Sequence, residues 1–181
     1  MSDAASDAFE RAFAITIGHE GDAWDRTYGD PGNWTKGAVG CGELKGSKFG
    51  ISAAVYSDLD IQHLTSDDAK AIYRRDYWAR VQGEALPPPL AILVFDAAVN
   101  NGLSRAVRWL QAACEVDEDG VIGPSTLAAV KARRGVDICT EFMALRLTFM
   151  AGLPTWRLFG LGWARRLCAL PWQSLTLTEA S

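Results

Sequence analysis

One stretch near the middle of the chain constrains the fold more than any other, the run "LAILVFDAAVNNG" after Pro87-Pro88-Pro89. Apolar residues cover it nearly all round, which predicts a helix that is buried on most of its sides. Proline fits the first turn of such a helix, and Gly102 fits its C-terminal cap. The chain must therefore supply other helices to surround this one.

The first of these helices is predicted at the start of the chain. Phe9, Phe13 and Ile17 recur at four-residue spacing after the possible caps Ser6 and Asp7. This pattern predicts an amphipathic helix that ends between residues 18 and 21.

Further helices are predicted on both sides of the central run. "TSDDAKAIYRRDYWARVQG" begins with a capping box formed by Thr65 and Asp68, in which Asp replaces the usual Glu. Four more segments have helical patterns: "ISAAVYSDL", "SRAVRWLQAACEV", "PSTLAAVKARRG" and residues 136–150. Residues 22–50 are instead rich in glycine and proline, which predicts loops with at most two or three short strands. The predicted fold is mainly helical, with a small glycine-rich hairpin region.

Composition narrows the classes of function. The 181 residues suit one compact globule, and a net charge of −4 without a basic cluster argues against nucleic-acid binding. No segment reaches the roughly 18–20 apolar residues of a membrane span, so we expect no integral membrane protein. The start "MSDAASDAFERAFA" is acidic where a cleavable signal peptide would be basic, which predicts synthesis in the cytoplasm without such a signal.

The cysteines and histidines do not have the spacing of metal ligands. The four cysteines are widely spaced without a CxxC pair, and the two histidines form no HExxH pattern. We therefore expect buried free thiols, no metal and no cofactor.

The segment "IGHEGDAW" contains the strongest candidate for a catalytic residue. Glu20 follows Ile17 by three positions, so it continues the apolar stripe of the first helix just where a flexible glycine turn begins. Loss of hydration there would raise the carboxyl pKa, as a general acid near neutral pH requires. A groove between helices and the hairpin region would admit an extended polymer, which suits cleavage of a glycosidic bond by two carboxyl groups.

The sequence leaves several candidates for the second catalytic carboxylate. Asp30, in "GDPGNWT", is the leading candidate because the hairpin region can fold it back toward Glu20, and Asp22 and Asp25 are the rivals. Asp-Pro-Gly is also strong turn chemistry, so Asp30 is equally well explained as a turn residue.

Other polar and aromatic residues are candidates for substrate contact. Asp96 and Asn100 lie four apart on the central helix and share a face, where they would meet sugar hydroxyls or support buried groups. Trp78 and Tyr77 would offer a platform to a sugar ring, although aromatics at helical spacing more often belong to a core.

Five motifs together resemble a known family. "GHEGDAW", "DPGNWTKG", "KFGIS", "YRRDYW" and "FDAAVNNG" occur in the order and spacing of glycoside hydrolase family 108, the lysozyme-like N-acetylmuramidases of phage endolysins and bacterial secretion-activating proteins. The likeness spans about Phe9 to Gly102. The later segment "WLQAACEVDEDGVIGPSTLAAV" resembles the predicted peptidoglycan-binding domain that commonly accompanies this family. The division expected is a catalytic domain over residues 1–103 and a helical wall-binding domain over 104–181, packed as one globule.

The resemblance implies a lysozyme-like α+β fold and places the catalytic glutamate of the family's E-G-G motif on Glu20. This chain departs from the motif, because Asp22 stands where the second glycine would be. Its hairpin region is also longer than in many members. Ser47 and Thr35 are the two candidates for the hydroxyl that would hold a nucleophilic water.

The implied function is hydrolysis of the β-1,4 bond between N-acetylmuramic acid and N-acetylglucosamine in bacterial peptidoglycan, as in an endolysin that lyses a host cell. The alternatives are a lytic transglycosylase and a non-catalytic wall-binding or secretion-assisting protein. The expected partner is peptidoglycan in the periplasm, reached by a monomer through a lesion made by a holin or by another export route.

Overall fold

The computed structural model describes residues 3–18 and 23–175. Its helices, in chain order, are α1 (Asp3–Ile17), α2 (Ser66–Tyr73), α3 (Pro88–Asn101), α4 (Leu103–Ala113), α5 (Pro124–Ala132), α6 (Gly135–Ala151) and α7 (Trp156–Leu175). Short 3-10 turns lie at Pro31–Asn33 and Gly83–Ala85, and a π-helical turn at Arg74–Trp78 continues α2. Two strands, β1 (Ser47–Lys48) and β2 (Ile51–Ser52), form an antiparallel pair. The fold is mainly helical with a small antiparallel sheet, as the sequence predicted.

The chain divides into two compact units. Unit 1 comprises Met1–Thr16 and Arg75–Ser181, and unit 2 comprises Ile17–Arg74. The domain boundary expected after residue 103 lies at the start of α4, within unit 1, where α4 packs on α3. The division into a catalytic and a wall-binding domain stays a prediction.

Unit 1 is built around α3, as the apolar run predicted. Every residue of α3 from Leu90 to Ala98 is buried, and the helix packs against α4, α6 and α7. At one side of it, Phe9 of α1 lies edge-on to Trp78 and Phe95, with ring centroids 5.6 and 6.1 Å away. Aromatic pairs in this geometry add to the stability gained by burial, so α1 is held by ring contacts to the same core.

A buried ionic cluster ties three helices of unit 1 together. Arg146 of α6 donates to the Asp96 carboxylate of α3 at 2.7 Å and to the Asn101 side-chain oxygen at 2.8 Å. Arg166 of α7 donates to the other oxygen of Asp96. Burial lowers the pKa of the Arg146 guanidinium and the Asp96 charge opposes this effect. The cluster therefore keeps both charges paired inside the core, which is the condition for tolerating them there.

Unit 2 consists mostly of loops, with α2 at its end. Thr65 and Asp68 form the predicted capping box, because the Thr65 hydroxyl accepts from the Asp68 N–H and the Asp68 carboxylate accepts from the Thr65 N–H. These hydrogen bonds satisfy backbone N–H groups that the first turn of a helix leaves free.

One predicted helix was wrong. "ISAAVYSDL" is not a helix: Ile51 and Ser52 form β2, and the following N–H groups of Ala53 and Ala54 donate to the loop carbonyls of Gly46 and Gly32, both at 3.0 Å. The tryptophan-rich segments near the C-terminus, for which the sequence predicted no element, form the long helix α7, which contains two glycines and Pro171. Among the described residues, no helix is both long and apolar enough to cross a bilayer.

Candidate functional site

The segment that follows Glu20 in sequence is fastened to β1. The backbone of Asp25 exchanges two hydrogen bonds with Ser47, at 2.9 and 2.8 Å, and the Trp24 indole donates to the Lys45 carbonyl at 2.8 Å. Gly46 makes this close approach possible: its φ is +83°, and a Cβ there would lie 2.3 Å from the Asp25 carbonyl oxygen. The chain on the C-terminal side of Glu20 is thus held against the hairpin predicted from glycine and proline.

Asn33 organises the loops of unit 2 from the inside. It is fully buried, and its side-chain amide donates to the Asp25 carboxylate and to the Thr27 carbonyl, both at 3.2 Å. Its backbone carbonyl accepts from the N–H groups of Lys45 and Gly46. One residue therefore joins three stretches of loop, which explains how a region with so little regular structure keeps a defined shape.

Asp25, a rival for the second carboxylate, is exposed and firmly positioned. Its carboxylate accepts from the N–H and hydroxyl of Thr27, at 3.0 and 2.6 Å, as well as from Asn33. Hydrogen bonds from Thr27 and then Asn33 lower the pKa of Asp25 below its ordinary value of 3.8. These hydrogen bonds favour the ionised carboxylate and fix its orientation in the loop.

Asp30, the leading candidate, lies at a turn. Its carboxylate accepts from the Gly32 N–H at 2.8 Å and caps the 3-10 turn Pro31–Asn33. The residue is exposed, so this contact leaves room for a second role. The turn function weighed from the sequence is present, and the catalytic role stays a prediction.

The two candidate hydroxyls differ in their surroundings. The Thr35 hydroxyl accepts from the Glu43 N–H at 2.9 Å and so closes a loop. Ser47 is half-buried in β1, where its backbone pairs with Asp25. Ser47 therefore lies beside the segment that leads to Glu20 in sequence, whereas Thr35 is engaged in holding the hairpin.

Unit 2 contains a polar pocket that the sequence did not reveal. Its volume is about 430 Å³, and charged and aromatic side chains line it, among them Trp24, Arg26, Glu43, Lys45, Asp58 and Asp60. The Arg26 guanidinium lies 5.3 Å from the centre of the Trp24 ring and donates to the Leu44 carbonyl. The only signal in the sequence was Trp24 at the end of the "GHEGDAW" motif.

Charges of both signs are held at fixed places around this pocket. The Lys45 ammonium donates to the Ser57 carbonyl at 2.7 Å and lies 3.9 Å from the Glu43 carboxylate. A hydrogen bond from His63, 2.9 Å away, lowers the pKa of Asp60. Donors and acceptors around an indole ring suit a ligand with many hydroxyl or amide groups and apolar C–H faces, such as an amino sugar.

The predicted contacts on α3 are placed differently. Asp96 is completely buried and engaged by Arg146 and Arg166, so it supports the core of unit 1 and presents no surface to a sugar. Asn100 is exposed, and its amide donates to the Asp96 carbonyl at 2.9 Å. The two residues share a helix face as predicted, but only Asn100 is accessible.

The predicted aromatic platform is also mostly core. Trp78 is 1% exposed, packs edge-on against Phe9 and Phe95, and donates its indole N–H to Glu84 at 2.9 Å. A Cβ on Gly83 would lie 2.3 Å from the Trp78 ring, so that glycine leaves room for the indole. Such burial supports the core interpretation of Trp78 and argues against sugar stacking. Tyr77 is half-buried, and its contact with substrate stays a prediction.

Glu20, the central prediction, lies outside the described residues, as do His19, Gly21 and Asp22. Its role as general acid therefore stays a prediction. The free thiols were expected to be buried, but Cys41 and Cys168 are exposed, whereas Cys114 is buried and Cys139 half-buried. In the described part of the chain, no three His, Cys, Asp or Glu side chains group as a metal site would require.

Comparisons with known proteins identify the class. Residues 13–102 match the family Glycosyl hydrolase 108. The structure of Brucella abortus SagA is similar to this chain, with 30% sequence identity, a TM-score of 0.76, and coverage of 100% of this chain and 99% of that chain. No curated protein matches the sequence. The chain belongs to glycosyl hydrolase family 108, so it is a glycoside hydrolase, and the family supports peptidoglycan hydrolysis of the muramidase type.

Proposed function

We propose that this protein cleaves the β-1,4 bond between N-acetylmuramic acid and N-acetylglucosamine, with Glu20 as the general acid. The observation that carries the proposal is the family match over residues 13–102, which contains Glu20 and all of the unit 2 loops described above. The polar pocket supports it, because Trp24 lines that pocket and is four residues from Glu20 in sequence.

The proposed reaction needs two carboxyl groups and one water. Glu20 donates its proton to the glycosidic oxygen as the bond from that oxygen to the anomeric carbon breaks. A water held by Ser47 or Thr35 forms the new bond to that carbon, and its proton passes to the second carboxylate. Asp30 remains the leading candidate for that carboxylate by position in the sequence. Asp25 is the alternative, since hydrogen bonds from Thr27 and Asn33 hold its carboxylate in one orientation.

The decisive experiment compares wild type with Glu20→Gln on isolated peptidoglycan, with the soluble products weighed by mass spectrometry. Loss of the general acid should reduce product release by about 10²- to 10⁴-fold, while the thermal midpoint changes little. Products that have gained a water identify a hydrolase, and anhydro products identify a lytic transglycosylase instead. If wild type sediments with peptidoglycan and releases nothing, the protein is a binding protein and the proposal fails.

Asp25→Asn and Asp30→Asn, assayed on the same substrate, distinguish the two described carboxylates. The residue that acts in catalysis should lose activity by at least tenfold as its amide. The other variant should lose less activity, because only its hydrogen bond within the loop is weakened. Equal and small losses from both would point to Asp22.

The proposal extends to the setting of the reaction. The wall lies in the periplasm, across a membrane from the ribosome, and we assign the crossing to a holin lesion in an endolysin that lyses its host. Expression with and without a holin tests this assignment, since lysis is expected only with both proteins. The proposed wall binding by residues 104–181 is tested by sedimenting Glu20→Gln with peptidoglycan. The measurement is then repeated with a second variant that carries a substitution on the surface of α5.

A further inference from the structure

The outward side of α7 bears an apolar stripe. Leu158, Leu161, Arg165, Cys168 and Trp172 follow one another at spacings of three and four, which places them on one face of the helix. Leu158, Leu161 and Trp172 are 79, 68 and 75% exposed. Single exposed apolar residues are common on proteins, but a row of large ones along a helix marks a surface that contacts something apolar.

The opposite face of α7 already makes the helix's contacts with unit 1. Its buried residues are Gly160, Leu167, Leu170 and Ser174. Through these residues α7 packs on α3 and α6.

The charge of α7 is opposite to that of the whole chain. The protein has a net charge of −4, yet α7 contains Arg157, Arg165 and Arg166 and no acidic residue. Arg166 is engaged by Asp96 inside the unit. Arg165 lies within the outer stripe and Arg157 near its beginning. The exposed surface therefore combines leucine and tryptophan with positive charge.

An apolar groove opens at the C-terminal end of the same helix. It has a volume of about 410 Å³, and Leu90, Leu93, Met143, Cys139 and Leu175 are among the residues that line it. Burial raises the pKa of the Cys139 thiol to about 11, so this thiol is neutral and adds no charge to the groove. Ser174 of the inner face also lines the groove, so the groove lies toward α3 and α6 and is separate from the outer stripe.

We propose that the outer face of α7 binds the surface of an anionic lipid bilayer. Helices with leucine and tryptophan on the contacting face and arginine beside them lie in the plane of the headgroups, where the apolar side chains enter the acyl boundary. Lipid phosphates supply the negative charge that α7 lacks. A second copy of this helix is the less favourable occupant, because it would bring further arginines and no carboxylate from α7 to pair with Arg165.

The test is sedimentation of the full chain with vesicles of phosphatidylcholine, alone or mixed with phosphatidylglycerol. Wild type should sediment with the mixed vesicles and only weakly with phosphatidylcholine alone. Leu161→Glu should weaken binding to the mixed vesicles by about tenfold, because a charge replaces a leucine that would enter the acyl boundary. Arg165→Gln should weaken it by about fivefold at low salt, with a smaller difference at high salt.

Val121→Glu is the matched control. Val121 is 65% exposed, close to the 68% of Leu161, and lies in the same unit but outside α7, so the same chemical change should leave vesicle binding unaltered. All three variants should hydrolyse isolated, membrane-free peptidoglycan like wild type, which separates this inference from the proposed catalytic function. Absence of sedimentation, or equal binding by Leu161→Glu, would overturn the proposal. A dimer in light scattering that Leu161→Glu dissociates would identify a second copy as the occupant.

Discussion

The two units of this protein are stabilised by different means. In unit 1, helices bury apolar side chains around α3, and one cluster of charges connects α3, α6 and α7. In unit 2, side chains such as Asn33 and Trp24 donate to loop carbonyls, and glycines adopt positive φ angles where loops come close. The helical core of unit 1 should therefore tolerate substitutions on its surface. The loops of unit 2, which form the polar pocket, depend on a few individual residues.

The largest predicted effect is in the core of unit 1. Asp96→Ala leaves the Arg146 guanidinium, which is 1% exposed, without its main partner. An uncompensated buried charge typically costs about 3–5 kcal/mol, so the free energy of unfolding should fall by that amount in denaturant titration.

The control for this variant is Asp137→Ala, which removes an exposed carboxylate 3.8 Å from Arg134. The free energy of unfolding should change by less than about 0.5 kcal/mol. Similar losses for the two variants would show that the ionic cluster does not clamp the helices.

An intermediate effect is expected in unit 2. Gly46→Ala places a Cβ 2.3 Å from the Asp25 carbonyl oxygen at a φ of +83°, and it should destabilise the loops by roughly 2 kcal/mol. Amide hydrogen exchange at Asp25 and Ser47 would report the loss directly.

Gly29→Ala is the companion variant, because a Cβ on Gly29 has no atom within 4 Å. Exchange at Asp25 and Ser47 should stay as in wild type. If Gly46→Ala also leaves hydrogen exchange at these two residues unchanged, then the close approach of Asp25 to Ser47 does not depend on that glycine.

The smallest effect concerns pH. The pKa of Asp25 is lowered in the folded protein, chiefly by Thr27, so its contribution to stability is complete above the ordinary value of 3.8 and is lost as the pH falls through the lower folded value. Acid should therefore loosen the Asp25 contacts. NMR titration of Asp25 should give a pKa below 3.8 in wild type and a higher one in Thr27→Val. An ordinary pKa in wild type would contradict the loop geometry.

The same contrast explains how much of the fold the sequence predicted. Phe9 and Phe13 have helical spacing and the run after Pro89 is apolar on nearly all sides, so α1 and α3 were predicted correctly, as was the Thr65 cap of α2. Periodicity failed at Ala53 and Ala54, where loop carbonyls distant in sequence take the N–H groups. Periodicity gave no prediction for α7, whose buried positions include Gly160 and Ser174, residues with no apolar signal.

The site was harder to predict because its contacts link distant positions. Asp96 was expected to contact substrate, since nothing near it in sequence indicates that Arg146 and Arg166 lie 50 and 70 residues further on. The pocket beside Trp24 combines residues from three loops for the same reason. Glu20 was predicted from a local pattern, which is the kind of signal that one sequence does contain, and its role stays a prediction.

The order of the two units along the chain has a consequence for folding. α1 precedes unit 2 and the rest of unit 1 follows it, so Phe9 reaches Trp78 and Phe95 only by closing a loop as long as unit 2 itself. Closing such a loop costs conformational entropy before the stabilising contacts can form. Docking of the first helix is thus the least local event in the assembly of this enzyme, and lengthening the intervening loops should retard it only slightly, because the entropic penalty grows with the logarithm of loop length.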